Sequence, residues 1–356
     1  MKALVALLLL IQLMRCKAIP LGPVQPLRPR VIDCDDPESE EAAAVALNYI
    51  NSHHPHGYKY ALNSIENVVV LPRRPHGEVF SMELDLLETL CHVVNPLPIE
   101  KCTVRPLADH AVEGDCDVKL LKVDGQYSVL ESKCHSTPDS AEDVIQVCPD
   151  CPLLAVLNDT KVVNAVHLAL SQHNRETDGA YLRLVDIGRA QIQQVSDIVS
   201  VEVAVVVTNC SAKDAQDHVD DCHPLPEDLS QFGFCEGSVT AGINTTVSCV
   251  IYEHQAGATY DHLIKEHLGG NIPSLSQGFQ HHDLWHFHRG PANDTSESSS
   301  HEAAIGTPPP PPPPPPEPPV VKRDVGAVLD PAVSPATIGP VAKLALCPGN
   351  IRHFQV

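Results

Sequence analysis

The stretch DPESEEAAAVALNYINSHHPHGYKYAL, Asp36 to Leu62, reads as one helix running into one strand. Asp36 can cap, Pro37 suits the first helical position, and Glu38, Glu40 and Glu41 complement the positive end of the helix dipole. Ala43, Ala46, Leu47 and Ile50 then fall on one face at helical spacing. The helix should stop before Pro55 and Gly57, and an alternating segment, Tyr58 to Leu62, begins a strand. Further strands are expected at Val68–Leu71, Val79–Leu86 and Val118–Leu121.

The same order recurs downstream. Asn158 or Asp159 precedes the apolar stripe Val162, Val166, Ala169 and Leu170; the pattern ends near Gly179, and strands follow at Tyr181–Ile187 and Val199–Val207. Cysteines repeat with it: Cys91, Cys102, Cys116 and Cys134 in the first copy, Cys210, Cys222, Cys235 and Cys249 in the second. Self-similarity on this scale marks a duplicated domain. One helix followed by strands joined by short turns is an α+β pattern, a helix laid across an antiparallel sheet, in two tandem copies.

The amino terminus sets the compartment. Met1-Lys2, the apolar run Ala3–Met14, and small Cys16 and Ala18 before Ile19 have the form of a secretory signal peptide. The run is shorter than the roughly 18 apolar residues a membrane anchor needs, and no later segment approaches it, so a soluble extracellular chain is expected. Loss of Cys16 turns 13 cysteines into 12, an even number in an oxidising compartment, which predicts six disulfides. Pairing within each quartet, Cys91 with Cys102, Cys116 with Cys134, Cys210 with Cys222 and Cys235 with Cys249, would staple neighbouring strands. CPDCP, Cys148-Pro149-Asp150-Cys151-Pro152, could be read as a redox couple or half a zinc site, but its default is a locally paired, proline-stiffened loop. Elimination leaves Cys34 for Cys347.

After Cys249 the composition turns to His, Ser, Gly and Pro, with nine consecutive prolines from Pro308 to Pro316. Such a run favours an extended rod over a packed core. The expected organisation is a signal peptide at 1–18, a first domain at 19–147, the CPDCP loop at 148–152, a second domain at 153–255, and a disordered His/Pro-rich region at 256–356 tied back by the terminal disulfide. Lys322-Arg323 offers a dibasic processing site. A net charge of -21 argues against nucleic acid and favours cations, basic surfaces or mineral. No nucleophile with its base, phosphate loop or helical metal pair stands out, so no enzyme activity and no cofactor are expected.

LPRRPHGEV (Leu71–Val79), HAVEGDCDVKLLK (His110–Lys122), CHSTPDSAEDV (Cys134–Val144), CPDCPLL (Cys148–Leu154) and CPGNIRHFQV (Cys347–Val356) closely resemble the fetuin-A family of the cystatin superfamily. NCSAKDAQDHVDDCHP, Asn209–Pro224, looks nearest to reptile forms, which include snake serum inhibitors of metalloproteinases. The resemblance implies two cystatin-like domains plus a C-terminal region, secretion into plasma, glycosylation, and the pairing proposed above; a monomer is expected. It also implies binding of calcium phosphate and restraint of mineral precipitation, with calcium present only as part of the mineral.

The expected mineral surface lies on the strand Val79–Leu86, where Phe80, Met82, Leu84 and Leu86 face one way and Ser81, Glu83 and Asp85 the other. Calcium takes hard oxygen ligands, and Glu83 and Asp85, with Glu78 and Glu88 nearby, are the candidate donors. The alternative reading is inhibition of astacin-like or venom metalloproteinases through Cys148–Pro152, Asp150 offering a carboxylate to the enzyme's zinc. Cysteine-protease inhibition is the weakest reading. The Q-x-V-x-G hairpin of cystatins is missing from LPRRPHG, becomes Gln193-Gln194-Val195-Ser196-Asp197 in the second copy, and the only tryptophan is Trp285. Sequons fall at Asn158, Asn209, Asn244 and Asn293. Ser39, Ser140 and Ser300 carry an acidic residue two positions on, the pattern of secretory phosphorylation, and added phosphate would strengthen calcium binding. The histidines at 281, 282, 286 and 288 read as decoration of the tail.

Overall fold

The computed structural model describes residues 28–73, 76–216, 218–240, 244–254, 263–265, 286–289 and 347–353, all within one compact unit, Met1–Gly290 with Leu346–Val356. Both copies are a helix across an antiparallel sheet. In the first, helix α1 (Pro37–His53) is capped by the Asp36 carboxylate, which accepts from the Glu38 N–H at 2.8 Å. The sheet has the order β1 (Arg30–Val31), β2 (Tyr58–Pro72), β3 (Glu78–His92), β4 (Val112–Val123), β5 (Gln126–Pro138), with β11 (His286–Arg289) at its edge. Between β5 and the second copy lies the short helix α2 (Ala141–Val147). The second copy has helix α3 (Thr160–Glu176), capped by Asp159 through the Lys161 N–H at 2.7 Å, and strands in the order β10 (Asn244–Ile251), β9 (Phe232–Thr240), β8 (Ile198–Ser211), β7 (Ala180–Gln193), β6 (Leu153–Leu154).

Each helix buries its small apolar stripe on one face of its sheet. Ala42, Ala43, Ala46 and Ile50 meet Val68, Val70, Phe80, Met82, Leu84 and Leu120 in the first core, and Val162, Ala165, Val166 and Ala169 meet Val201, Val203 and Val205 in the second. Alanines let the helix approach the sheet closely, and the larger strand residues supply most of the apolar area removed from water, about 25 cal/mol per Å². Among the described residues six disulfides join Cys34 to Cys347, Cys91 to Cys102, Cys116 to Cys134, Cys148 to Cys151, Cys210 to Cys222 and Cys235 to Cys249. Two of them link residues directly opposite on adjacent strands, Cys116 on β4 with Cys134 on β5 and Cys235 on β9 with Cys249 on β10.

The strands depart from the sequence reading in three ways. The segments expected at Tyr58–Leu62 and Val68–Leu71 are one strand, β2, whose register shifts at Tyr58/Tyr60, Leu62/Ser64 and Ile65/Asn67 interrupt its alternation. Strand β4 starts at Val112, before the expected Val118, and β5, β9 and β10 were not anticipated. Within the region expected to be a disordered tail, β11 pairs with β5, and residues 347–353 lie along β2, the Gly349 N–H donating to the Ile65 carbonyl at 2.8 Å. Residues 263–265 of that region are described as well, with Leu263 and Ile264 buried; the remainder, with His281, His282, Asn293, Ser300, Lys322, Arg323 and the proline run, lies outside the described residues, as does the signal segment 1–18. Among the described residues no helix is long and apolar enough to cross a membrane.

The two copies are joined by a polar seam. Arg189 on β7 donates to Glu88 on β3 at 2.9 Å, and through its other nitrogen to the carbonyls of Asp109 and His110. Arg105 lies between Glu88, at 3.4 Å, and Glu202 on β8, at 3.0 Å, and the Tyr58 hydroxyl donates to Glu202. Gly188 occupies a close approach here, since a Cβ would stand 2.8 Å from His92 Cδ2 and 3.2 Å from the Tyr58 hydroxyl.

Candidate functional sites: an acidic sheet face and a disulfide-closed loop

The face of the first sheet opposite α1 is acidic. Strand β4 alternates strictly, Val112, Gly114, Cys116, Val118 and Leu120 buried, Glu113, Asp115, Asp117 and Lys119 exposed. Its register sets Asp117 opposite Glu83 and Asp115 opposite Asp85, with Glu113 opposite Leu87. Glu66 on β2 adds a sixth carboxylate. Asp85 is held in place by Asn63, whose amide donates to Oδ2 at 2.7 Å, and by the Ser64 hydroxyl at 3.3 Å. On β5, Lys133 lies opposite Asp117 and His135 opposite Asp115.

Like charges directly across a strand pair are destabilising, and the acids register it. Glu66 is raised above its ordinary value by partial burial and by Asp85, Asp115 and Glu83; Glu113 is raised by burial, Asp85 and Asp115. Asp115 is likewise raised, by burial and Asp85, with His135 opposing. Among the described residues no three His, Cys, Asp or Glu side chains converge as a ligand set for one metal ion. The arrangement is a flat display of oxygens at the spacings of a sheet, roughly 6.6–6.8 Å along a strand and about 4.8 Å across.

Sequence reasoning found Glu83 and Asp85 and missed Glu66, Glu113, Asp115 and Asp117. Two of its candidates do not belong to the surface. Glu88 is 5% exposed and committed to Arg189 and Arg105. Glu78 stands at the end of β3 in the parity of the buried residues and pairs at 3.1 Å with Arg30, which also holds Glu38 of α1. Ser39 is also corrected as a phosphorylation site: it is fully buried in α1, its hydroxyl donating to the Asp33 carbonyl at 2.7 Å. Ser140 is exposed and caps α2, accepting from the Asp143 N–H at 3.1 Å. Asn158, Asn209 and Asn244 are exposed.

The second site is CPDCP. The Cys148 N–H closes α2 on the Val144 carbonyl, and Cys151 turns back onto the Cys148 carbonyl at 3.2 Å. Pro149 and Asp150 are exposed at the tip. The loop is braced from the second copy: Gln193 on β7 donates to the Asp150 carbonyl at 2.9 Å, and Leu153 and Leu154 pair with Ile192 and Gln191. Beside it the turn after Gln193 exposes Val195 (83%), while Asp197 takes a left-handed backbone (φ 47°) and pairs with Lys161 at 2.9 Å. The position where a cystatin hairpin has glycine thus carries a carboxylate.

A family profile described as a cystatin domain matches residues 152–244. Alpha-2-HS-glycoprotein of Sus scrofa is 44% identical over 380 residues, 98% of either chain, and that of Bos taurus is 51% identical over 259 residues, 72% of this chain and 71% of the relative. Among solved structures, mouse fetuin-B in complex with crayfish astacin is similar at TM-score 0.53 and 25% identity, covering 66% of this chain and 72% of that one. The inhibitory complex of human meprin beta with mouse fetuin-B gives TM-score 0.53 and 25% identity over 65% and 75%.

Proposed function

Because the chain belongs to the alpha-2-HS-glycoprotein (fetuin-A) family, a family of binding proteins and not of enzymes, we propose that it is a secreted plasma protein that binds calcium phosphate through the outer face of its first sheet. The observation that carries this reading is the register that opposes Glu83 to Asp117 and Asp85 to Asp115. A fold gains nothing by holding like charges across a strand pair; a surface offering calcium ions to those oxygens converts the repulsion into attraction. Distribution over a sheet, without convergence on one point, suits a solid or a cluster better than a single ion.

The test is turbidity of a supersaturated calcium phosphate solution. Neutralising Glu83→Gln, Asp85→Asn, Asp115→Asn and Asp117→Asn together should return the onset of clouding to the protein-free time. Neutralising four exposed acids elsewhere, Asp220, Asp221, Glu227 and Asp228, should leave the delay intact. Equal delay in both variants would refute the reading, because net charge alone would then suffice.

A second reading, inhibition of zinc metalloproteinases through CPDCP, is favoured by the likeness to fetuin-B, whose structures include complexes with astacin and meprin beta. The exposed, disulfide-closed Asp150 would offer a carboxylate to the protease zinc, and the closed ring would resist cleavage. Asp150→Ala should abolish inhibition of crayfish astacin and leave the turbidity delay unchanged. The second-copy hairpin, with Asp197 where glycine is needed, does not support inhibition of cysteine proteases.

A further inference from the structure

CPDCP is held from below by one histidine. His110 is 6% exposed and adopts a left-handed backbone, φ 56° and ψ 59°, at the end of the turn Leu107–Asp109. Its Nδ1 accepts from the Leu154 N–H at 3.0 Å, and its Nε2 lies 2.7 Å from the Asp139 carbonyl. The two partners fix the tautomer without ambiguity, since an amide N–H can only donate and a carbonyl can only accept. Nε2 therefore carries the proton and Nδ1 is bare. Leu154 follows Pro152 by two residues, so the bond fixes the loop's exit strand to the first copy, while Gln193 fixes its tip to the second.

We infer that His110 is a positioning residue for the CPDCP loop, and that protonation of its imidazole releases the loop. A proton on Nδ1 would face the Leu154 N–H, turning an acceptor into a second donor and leaving a part-buried amide without its acceptor. This inference rests on the metalloproteinase reading for its functional consequence, a loss of inhibition in mildly acidic surroundings, and on the geometry alone for the release. The charged groups nearby include Arg189, which is paired to Glu88 and donates to the His110 carbonyl, and Asp139, on whose carboxyl Glu113 of β4, Asp143 of α2, Glu88 and Arg189 act. Asp139 needs separate treatment, because burial, Glu113, Asp143 and Glu88 push its carboxyl up to about 6, into the range where histidines titrate. Its carbonyl, the group that touches His110, does not titrate.

The variants follow from the backbone. His110→Asn places an amide oxygen near the Nδ1 position, tolerates the left-handed conformation, and does not titrate. His110→Ala removes the acceptor. Against crayfish astacin, the inhibition constant of the parent should rise about tenfold from pH 7.5 to 5.5, the worth of one hydrogen bond. Each value is taken relative to that of His110→Asn at the same pH, so that the enzyme's own pH dependence cancels. His110→Ala should be weak at both pH values, and Asp139→Asn should behave as the parent does. In parallel, amide exchange should show protection of Leu154 falling with pH in the parent and staying level in His110→Asn. Parallel profiles for parent and His110→Asn in both measurements would overturn the inference, as would a loss of Leu154 amide protection at low pH that persists in His110→Asn and vanishes in Asp139→Asn. If the parent fails to inhibit at either pH, the metalloproteinase reading falls, and the Leu154 amide alone decides whether His110 holds the loop.

Discussion

Replacing Glu88 by alanine separates a buried structural carboxylate from those of the acidic sheet face. Glu88 is 5% exposed and receives Arg189 Nη1 at 2.9 Å and Arg105 Nε at 3.4 Å. Removing one member of a buried ionic group leaves the remaining charge uncompensated, at a cost of about 3–5 kcal/mol. Arg189 keeps the Asp109 and His110 carbonyls and Arg105 keeps Glu202, so the low end, about 3 kcal/mol, is expected. For a folded unit of this size that lowers Tm by about 6–12 °C. The assay is differential scanning calorimetry, with calcium phosphate turbidity measured at a temperature where the variant is still folded. Glu88→Ala should melt early yet delay clouding as the parent does, the reverse of the sheet-face variant. A Tm change under about 2 °C, or a lost delay in folded Glu88→Ala, would refute the assignment of Glu88 to the seam.

Two further outcomes follow from the same contacts. Asp139 has its folded pKa raised from 3.8 to about 6, so its ionised form is disfavoured by folding; stability is greatest below the unfolded pKa and is lost as pH rises through the folded one. Asp139→Asn should therefore stabilise at pH 7.4, by on the order of 1 kcal/mol once solvent screening at this half-exposed site is allowed for, and the gain should vanish in urea titrations near pH 4. Gly188→Ala drives a methyl against His92 and Tyr58; overpacking of this kind costs about 1–3 kcal/mol, and calorimetry should show a lower Tm with each core's own residues unchanged.

Helices and cores were legible because their signals are local. Asp36, Pro37 and the stripe Ala43, Ala46 and Ile50 lie within a few turns of one another, and the buried parity of Phe80, Met82, Leu84 and Leu86 survives intact in β3. The acidic face was half legible. Glu113-Gly114-Asp115-Cys116-Asp117 alternates with period two, but glycine and aspartate are depleted in strands, so the segment was not read as β4. Strict use of parity would have removed Glu78 and Glu88, which share the register of the buried set, and kept Glu83 and Asp85. The seam was not legible at all: Arg189 and Glu88 lie on different copies, and nothing local to either residue indicates the other.

The duplication itself explains why one copy carries the acidic face and the other does not. In both, the helix covers one face of the sheet and leaves the other free to vary. The offset that sets Cys91 on Cys210 and Cys116 on Cys235 also sets Glu83 on Glu202 and Asp117 on Glu236, but replaces Asp85 by Ala204, Asp115 by Phe234 and Glu113 by Phe232. The cross-strand registers match, Glu83 to Asp117 as Glu202 to Glu236, and Asp85 to Asp115 as Ala204 to Phe234. In the second copy the face is apolar and covered, Ala204 and Phe232 being fully buried with Val93 and Val94 of the first copy and with Leu263 and Ile264. Glu202 shows the change in a single residue. Burial alone would raise its pKa, yet Arg105 and Tyr58 outweigh that and bring it below its ordinary value. The counterpart of a surface acid has become the anchor of an interface, and the apolar face around it fixes the first copy while leaving the carboxylates of that copy turned to solvent.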